Sequence, residues 1–177
     1  MTSPANPTRS DAVRNRDLLV AAAREVLAEQ GLDAPMSAVA KRAGVGQGTL
    51  YRHFPDRFTL ATAVLEENVR DIEHVAARPD ATLAEVLGVV TWQMIRSTAF
   101  VGIIRLGGEE RSQHLADRVR TTIDRLPKET YGTDDVMLAV AMVSGAVHGP
   151  TPEAREATAR RAWRMLGIEI GPVTPGL

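Results

Sequence analysis

The stretch that decides the fold runs Val39-Ala40-Lys41-Arg42-Ala43-Gly44-Val45-Gly46-Gln47-Gly48-Thr49-Leu50-Tyr51-Arg52-His53-Phe54. It reads as a short helix, a glycine break and a second short helix dense in polar, aromatic and basic groups, which is the pattern of a DNA-binding helix-turn-helix. Val39 and Ala40 give the first helix a small apolar face and Lys41 and Arg42 a solvated one, while Gly44 supplies a residue able to enter the left-handed region. Val45 then plugs the angle between the helices. In the second helix only Leu50 and Phe54, four residues apart on one face, are left to hold it to a core. Gln47, Gly48, Thr49, Tyr51, Arg52 and His53 are expected to face outward.

The turn Ala43-Gly44-Val45, the helix end Leu50-Tyr51-Arg52-His53-Phe54 and the following Pro55-Asp56-Arg57 together resemble the DNA-binding domain of TetR-family (TetR/AcrR type) transcriptional regulators. The similarity runs from about Leu18 to Leu65; beyond it, only the all-helical plan resembles the family. Two positions depart from the family pattern. Gly46 stands where a capping serine is common, at a cost of only a few tenths of a kcal/mol, and Phe58 stands where an acidic residue often follows the basic one.

Around this stretch, helical periodicity recurs and no convincing strand alternation appears. Leu19, Ala22, Ala23, Val26 and Leu27 make a stripe bounded by Ser10 or Asp11 as N-cap and by Gly31. Pro35 begins a second helix and Pro55 opens a long fourth from about Asp56 to Ala77, closed by Arg78-Pro79. Further helices are predicted over Leu83 to Ile95, the short segment Phe100 to Leu106, Leu115 to Leu126, Thr133 to His148 and Pro152 to Leu166. The expected fold is therefore all-α, with about nine helices. A three-helix head is joined by the long fourth helix to a helical-bundle body. The expected boundaries are a flexible arm over 1–9, a DNA-binding domain over 10–58, a ligand-binding and dimerisation domain over 59–170, and a loose tail over 171–177.

Composition is compatible with this plan. The 177 residues are 44% hydrophobic and 24% charged, with no cysteine, so disulfides and cysteine-ligated metals are excluded. No apolar run approaches the roughly 20 residues of a membrane span. Met1 to Thr8 lacks the apolar core of a signal peptide, and a cytoplasmic protein is expected. Net charge is −1, but residues 1–60 carry eight basic groups against six acidic ones. That asymmetry is slight.

Gln47 is the candidate base reader, because its amide can pair bidentately with adenine. Gly48 leaves room for backbone approach. The resemblance implies that Thr49, Tyr51 and His53 donate to phosphates, with capping of the helix end as the other role open to His53. Arg52 is able to reach a guanine or a phosphate. Arg57 reads as a phosphate clamp at the start of the fourth helix. Lys41 or Arg42 joins it, or both belong to a solvated face. Gly44-x-Gly46-x-Gly48 has the wrong third spacing for a nucleotide loop, and no strand precedes it.

One such head contacts too few bases for genomic specificity, so a homodimer on a palindromic, double-stranded operator is expected. The last two helices are the candidate interface, because Val136 to Val147 carry apolar and small residues on more than one face; a central helix of the monomer would carry the same pattern. The resemblance implies a repressor that leaves DNA when a small effector enters the body. Candidate pocket residues are Trp92, Met94, Arg96, Phe100, Ile103, Ile104, His114, Met137 and Met142, with Gln93 and His148 as further polar anchors. Methionines and aromatics at helical spacing are equally what a core needs. No catalytic motif, metal site or cofactor site is found, so an enzyme is not expected. The alternative function is a helical small-molecule-binding or interaction module without DNA-binding activity.

Overall fold

The computed structural model describes residues 9–31, 33–96, 110–128 and 130–175. Among these residues the secondary structure is eight α-helices and no strand. They are α1 (Arg9–Gln30), α2 (Met36–Ala43), α3 (Gln47–His53), α4 (Arg57–Ala76), α5 (Leu83–Arg96), α6 (Glu110–Asp124), α7 (Thr133–Ala146) and α8 (Pro152–Met165). The expected segment Phe100 to Leu106 lies outside the described residues, as does the arm before Arg9. No described helix is long and apolar enough to cross a membrane. The chain divides into two compact units between Val64 and Leu65, within α4.

The first unit is built on the α1 stripe. Leu19, Ala22, Ala23, Val26 and Leu27 are all buried, and they pack with Val39, Ala40, Leu50, Phe54, Leu60 and Val64. Gly31 ends α1 at φ +81°, its N–H donating to the Leu27 carbonyl at 2.9 Å. Pro35 sits in the N-cap position of α2 in extended conformation, where its missing N–H leaves no helical bond unmade. Arg42 ties α2 back to α1: Nη1 donates to Glu25 at 2.9 Å, and Nη2 to Glu29 at 2.8 Å. Its guanidinium holds the Glu29 carboxyl below the usual carboxylate range. Asp56, expected as the first residue of α4, instead caps it by accepting from the Thr59 N–H at 2.7 Å.

In the second unit the apolar faces of α4 to α8 meet around Ile72, Val86, Leu87, Val90, Ile123, Val136 and Trp163. Trp163 is fully buried, and its Nε1 donates to the Thr91 hydroxyl at 3.0 Å, locking α8 onto α5. Arg155 donates to the Ile95 carbonyl at 2.7 Å, in the last turn of α5. Arg118 grips Glu73 with two parallel bonds of 2.9 and 2.6 Å, joining α6 to α4. The segment after α8 departs from the loose tail expected from Gly171 on. Gly171 donates to the Ala84 carbonyl at 2.7 Å, and the backbone of 171–172 lies so close to Gly88 that a Cβ there would meet the Pro172 oxygen at 2.3 Å. The missing Cβ at Gly88, and at Gly171, where one would meet the Glu85 backbone at 3.0 Å, allows this approach, whereas composition alone suggests a free end.

Candidate nucleic-acid interface

Local chemistry sets the angle between α2 and α3. Gly44 adopts φ +68°, ψ 25°, and its N–H donates to the Lys41 carbonyl while that of Val45 donates to Ala40. These are the paired bonds of a Schellman motif, which turns the chain sharply and brings the half-buried Val45 against the core. Gly46 follows as N-cap of α3 at φ −68°, ψ 149°, its carbonyl accepting from Thr49 and Leu50 at 3.0 and 3.1 Å. It offers no side-chain cap.

From there α3 sorts its residues by face. Leu50 and Phe54 are 0% and 1% exposed, so the inner face is fully committed to the core. The Arg16 guanidinium lies 5.5 Å from the centre of the Phe54 ring, closing that side with a cation–π contact from α1. Gln47, Gly48, Tyr51 and Arg52 are exposed, and Thr49 and His53 are half-buried at the flanks. Tyr51 keeps half its surface in solvent. Among the described residues, the side chains of Gln47, Thr49, Tyr51, Arg52 and His53 make no hydrogen bond or ion pair, and neither does the exposed Lys41. The face is thus a row of free donors and acceptors on a rigid inner anchor.

Two basic groups nearby are placed differently. Arg42 is spent on Glu25 and Glu29, and Arg57 pairs with Asp33 across 3.2 Å, both partners exposed. The Asp33 pairing was invisible to spacing, since 24 residues separate the two groups. The exposed Phe58 stands beside Arg57 on the same turn.

In the second unit the candidate pocket residues differ in exposure. Met94 is buried, Trp92 and Met137 are half-buried, and Arg96 is exposed at the end of α5. Met142 is 54% exposed on the face of α7 opposite the buried Val140 and Val143, so the structure does not turn it inward. His114 is exposed and lines an open cleft of about 560 Å³ with Glu73, Arg118, Thr121 and Arg125. His148 is exposed, and Phe100, Ile103 and Ile104 lie outside the described residues. Gln93 is fully buried, its Nε2 donating to Asp71 at 3.1 Å. Sequence reasoning missed Asn68, which is also fully buried. Its position in the stripe Leu65, Asn68, Val69, Ile72 was the available signal.

Comparison with known proteins matches these geometries. Residues 19–64 fit the sequence model described as bacterial regulatory proteins, tetR family. An HTH-type transcriptional regulator of Staphylococcus aureus (strain MRSA252) is 42% identical over 64 residues, covering 34% of this chain and 33% of the relative. Another, from the bovine strain RF122 / ET3-1, is 37% identical over 62 residues, or 34% of each chain. The match thus spans about a third of the length of these curated relatives. Solved structures extend further. A TetR transcription regulatory protein from Mycobacterium vanbaalenii is 30% identical, superposes with a TM-score of 0.52, and is covered over 99% of its length by 92% of this chain. A TetR transcriptional regulator from Streptomyces coelicolor shares the fold at 23% identity and TM-score 0.59, with 88% and 98% covered. A recognition helix whose inner face is locked and whose outer face is free, in a chain that follows a solved family member nearly end to end, leaves one assignment: the chain belongs to the TetR family of bacterial transcriptional regulators.

Proposed function

We propose that this chain is a cytoplasmic, ligand-responsive repressor that binds a palindromic operator as a homodimer, with no catalytic activity. The single observation that carries the reading is the outer face of α3, where Gln47, Thr49, Tyr51, Arg52 and His53 present polar groups unpaired among the described residues, from a helix anchored at Leu50 and Phe54. Polar groups so arranged suit base edges and phosphates in a major groove. Gln47, at the first turn, reads bases; Thr49, Tyr51 and His53 hold phosphates; Arg52 reaches a guanine or a phosphate; Lys41 and Arg57 add charge at the flanks. Residues 10–58 form the DNA-binding domain and 59–170 the effector and dimerisation domain.

The dimer is supported by surface that a monomer leaves bare. Leu138 and Met142, one turn apart on α7, are 62% and 54% exposed, and Met165 at the end of α8 is 79% exposed. Large apolar side chains left exposed on these two helices favour burial against a second copy. The two-fold axis then presents two copies of α3 to successive turns of DNA.

The test is binding of the chain to the upstream region of its own gene, measured by fluorescence anisotropy at two salt concentrations. Specific binding at both is expected. Gln47→Ala is expected to relax preference at one or two base pairs per half-site, each worth roughly 1–3 kcal/mol. In the Asp33→Asn background, where Arg57 is released from its partner, Arg57→Ala is expected to weaken all sequences alike and reduce the salt slope by about one unit per head. Absence of binding at low salt, or an equal loss on every sequence for Gln47→Ala, overturns the corresponding assignment.

A further inference from the structure

The interior of the second unit holds a polar pair that the fold does not use. Asn68 on α4 is 0% exposed, and among the described residues neither its Oδ1 nor its Nδ2 has a hydrogen-bond partner. Gln93 on α5 is also 0% exposed; its Nε2 donates to Asp71, and its Oε1 has no partner among the described residues. Asp71 lies three residues after Asn68 and so projects from the same side of α4, which places both amides in the layer between α4 and α5. Leu65, Val69, Ile72, Val89, Val90 and Met94 on the same two helices are buried as well.

A buried amide with no partner destabilises a fold by the desolvation of each unpaired atom. Leucine, nearly the same size, would fill the Asn68 site without that cost. Asn68 therefore weakens the apo-protein unless something else accepts and donates there. The orientation of Gln93 is fixed, because inverting its amide would set Oε1 against the Asp71 carboxylate. The free atom at Gln93 is thus an acceptor, while Asn68 offers both an acceptor and a donor whichever way its amide is turned. A complementary molecule needs an O–H or N–H for the acceptors and an oxygen for the Asn68 amide. A carboxylate only accepts, so it could pair with the Asn68 N–H but would set oxygen against the Gln93 oxygen, which opposes its entry.

We propose that Asn68 and Gln93 form the polar end of the effector site, and that the effector is an uncharged, largely apolar small molecule bearing a hydroxyl or primary amide. This rests on the reading of the chain as an effector-responsive regulator. Asp71 acts as a positioning residue, holding the Gln93 amide with its oxygen toward the ligand.

The experiment is thermal denaturation of the full chain with millimolar benzyl alcohol, cyclohexanol or benzamide, each beside its charged and apolar counterparts, benzoate, cyclohexanecarboxylate, toluene and methylcyclohexane. At least one neutral alcohol or amide is expected to raise Tm by roughly 3 °C, with smaller shifts from its counterparts. Asn68→Leu without ligand is expected to melt higher than the parent and to lose that preference. Should Asn68→Leu fail to fold, Asn68→Ala serves, with the preference passing from the alcohol or amide to the hydrocarbon. A lower Tm for Asn68→Leu shows that buried water or protein already serves the amide, and overturns the proposal. So does the absence of any shift with the neutral compounds, an equal or larger shift with the carboxylates, or a response that survives in the variant. Anisotropy on the upstream DNA separates the two readings. A compound that binds through Asn68 and leaves DNA affinity unchanged keeps the site and removes the effector role, whereas one that releases DNA equally well from Asn68→Leu keeps the regulator and removes the site.

Discussion

Gly44 and Gly46 stand two residues apart in the turn before α3, yet substitution there should move the head in opposite directions. Gly44 sits at φ +68°, where a Cβ meets no neighbouring atom but crowds its own backbone. A side chain in the left-handed region costs about 1–2 kcal/mol, offset by about 0.4–1 kcal/mol from the reduced freedom of the unfolded chain. Gly44→Ala should therefore destabilise the head by about 1 kcal/mol. Gly46 is extended at φ −68°, its Cβ position opens into empty space, and no side chain caps α3. A serine there can accept from an N–H in the first turn, so Gly46→Ser should stabilise by a few tenths of a kcal/mol, about 0.3–0.7.

The amides of Thr49 and Leu50, bonded to the Gly46 carbonyl, report on this turn directly through hydrogen exchange. At about 1.4 kcal/mol per tenfold, Gly44→Ala should speed their exchange roughly fivefold, and Gly46→Ser should slow it roughly twofold to threefold. Chemical denaturation followed by circular dichroism should give the same ordering. Both substitutions moving protection the same way would refute the reasoning. A neutral Gly44→Ala would mean that the turn does not need the left-handed residue, and a destabilising Gly46→Ser would mean that α3 does not begin where the cap geometry places it.

Three further outcomes follow from particular side chains. Met142→Glu should yield a particle of monomer mass in sedimentation and lose operator binding, while the exposed position keeps the folded monomer within about 0.5 kcal/mol of the parent; a stable Met142→Glu dimer would move the interface elsewhere. The Arg118 guanidinium holds the half-buried Glu73 carboxyl below its usual range. Its stabilisation is therefore complete above the ordinary carboxylate pKa and fades as pH falls through the lowered one, and urea titrations from pH 7 to 3 should show Arg118→Ala with a shallower acid loss than the parent. Asp33→Asn frees Arg57 from its 3.2 Å partner and should tighten DNA binding, with the gain absent in the Asp33→Asn, Arg57→Ala double variant. Equal gains in both backgrounds would show that Asp33 acts on DNA by its charge alone and not through Arg57.

Much of the head was legible because its determinants are local. The α1 stripe, the Gly44 turn and the Leu50 and Phe54 anchor each follow from spacings of three or four residues or from one residue's backbone preference. What stayed hidden depends on partners far apart in the chain. The bonds from Arg42 to Glu25 and Glu29 span 17 and 13 residues, and that from Trp163 to Thr91 spans 72. Met142 was open to misplacement for a different reason. A helix with apolar residues all round does not declare its inner face, and only packing decides that Val140 and Val143 turn inward while Leu138 and Met142 turn out. Asn68 was readable in principle, as the one polar residue in an apolar stripe.

The pairing of basic groups also sharpens why the proposed dimer matters. Of the four cations on α2, α3 and the first turn of α4, Arg42 is bound to two carboxylates and Arg57 to one, leaving Lys41 and Arg52 without an ion pair among the described residues. Two phosphate contacts give a salt slope near −1.8, so raising salt from 50 to 200 mM would weaken one head only about 12-fold. The same shallow dependence means that one head draws little affinity from electrostatics, and most of its binding must come from fit in the groove. Two heads square the effect, to about 150-fold, provided both seat at once. A regulator assembled this way does not need an effector that blocks its DNA-binding face. Any ligand that favours an arrangement in which only one head can seat reduces the complex to the affinity of a single weakly charged helix, and a coupling of about 1–3 kcal/mol is enough to shift that balance.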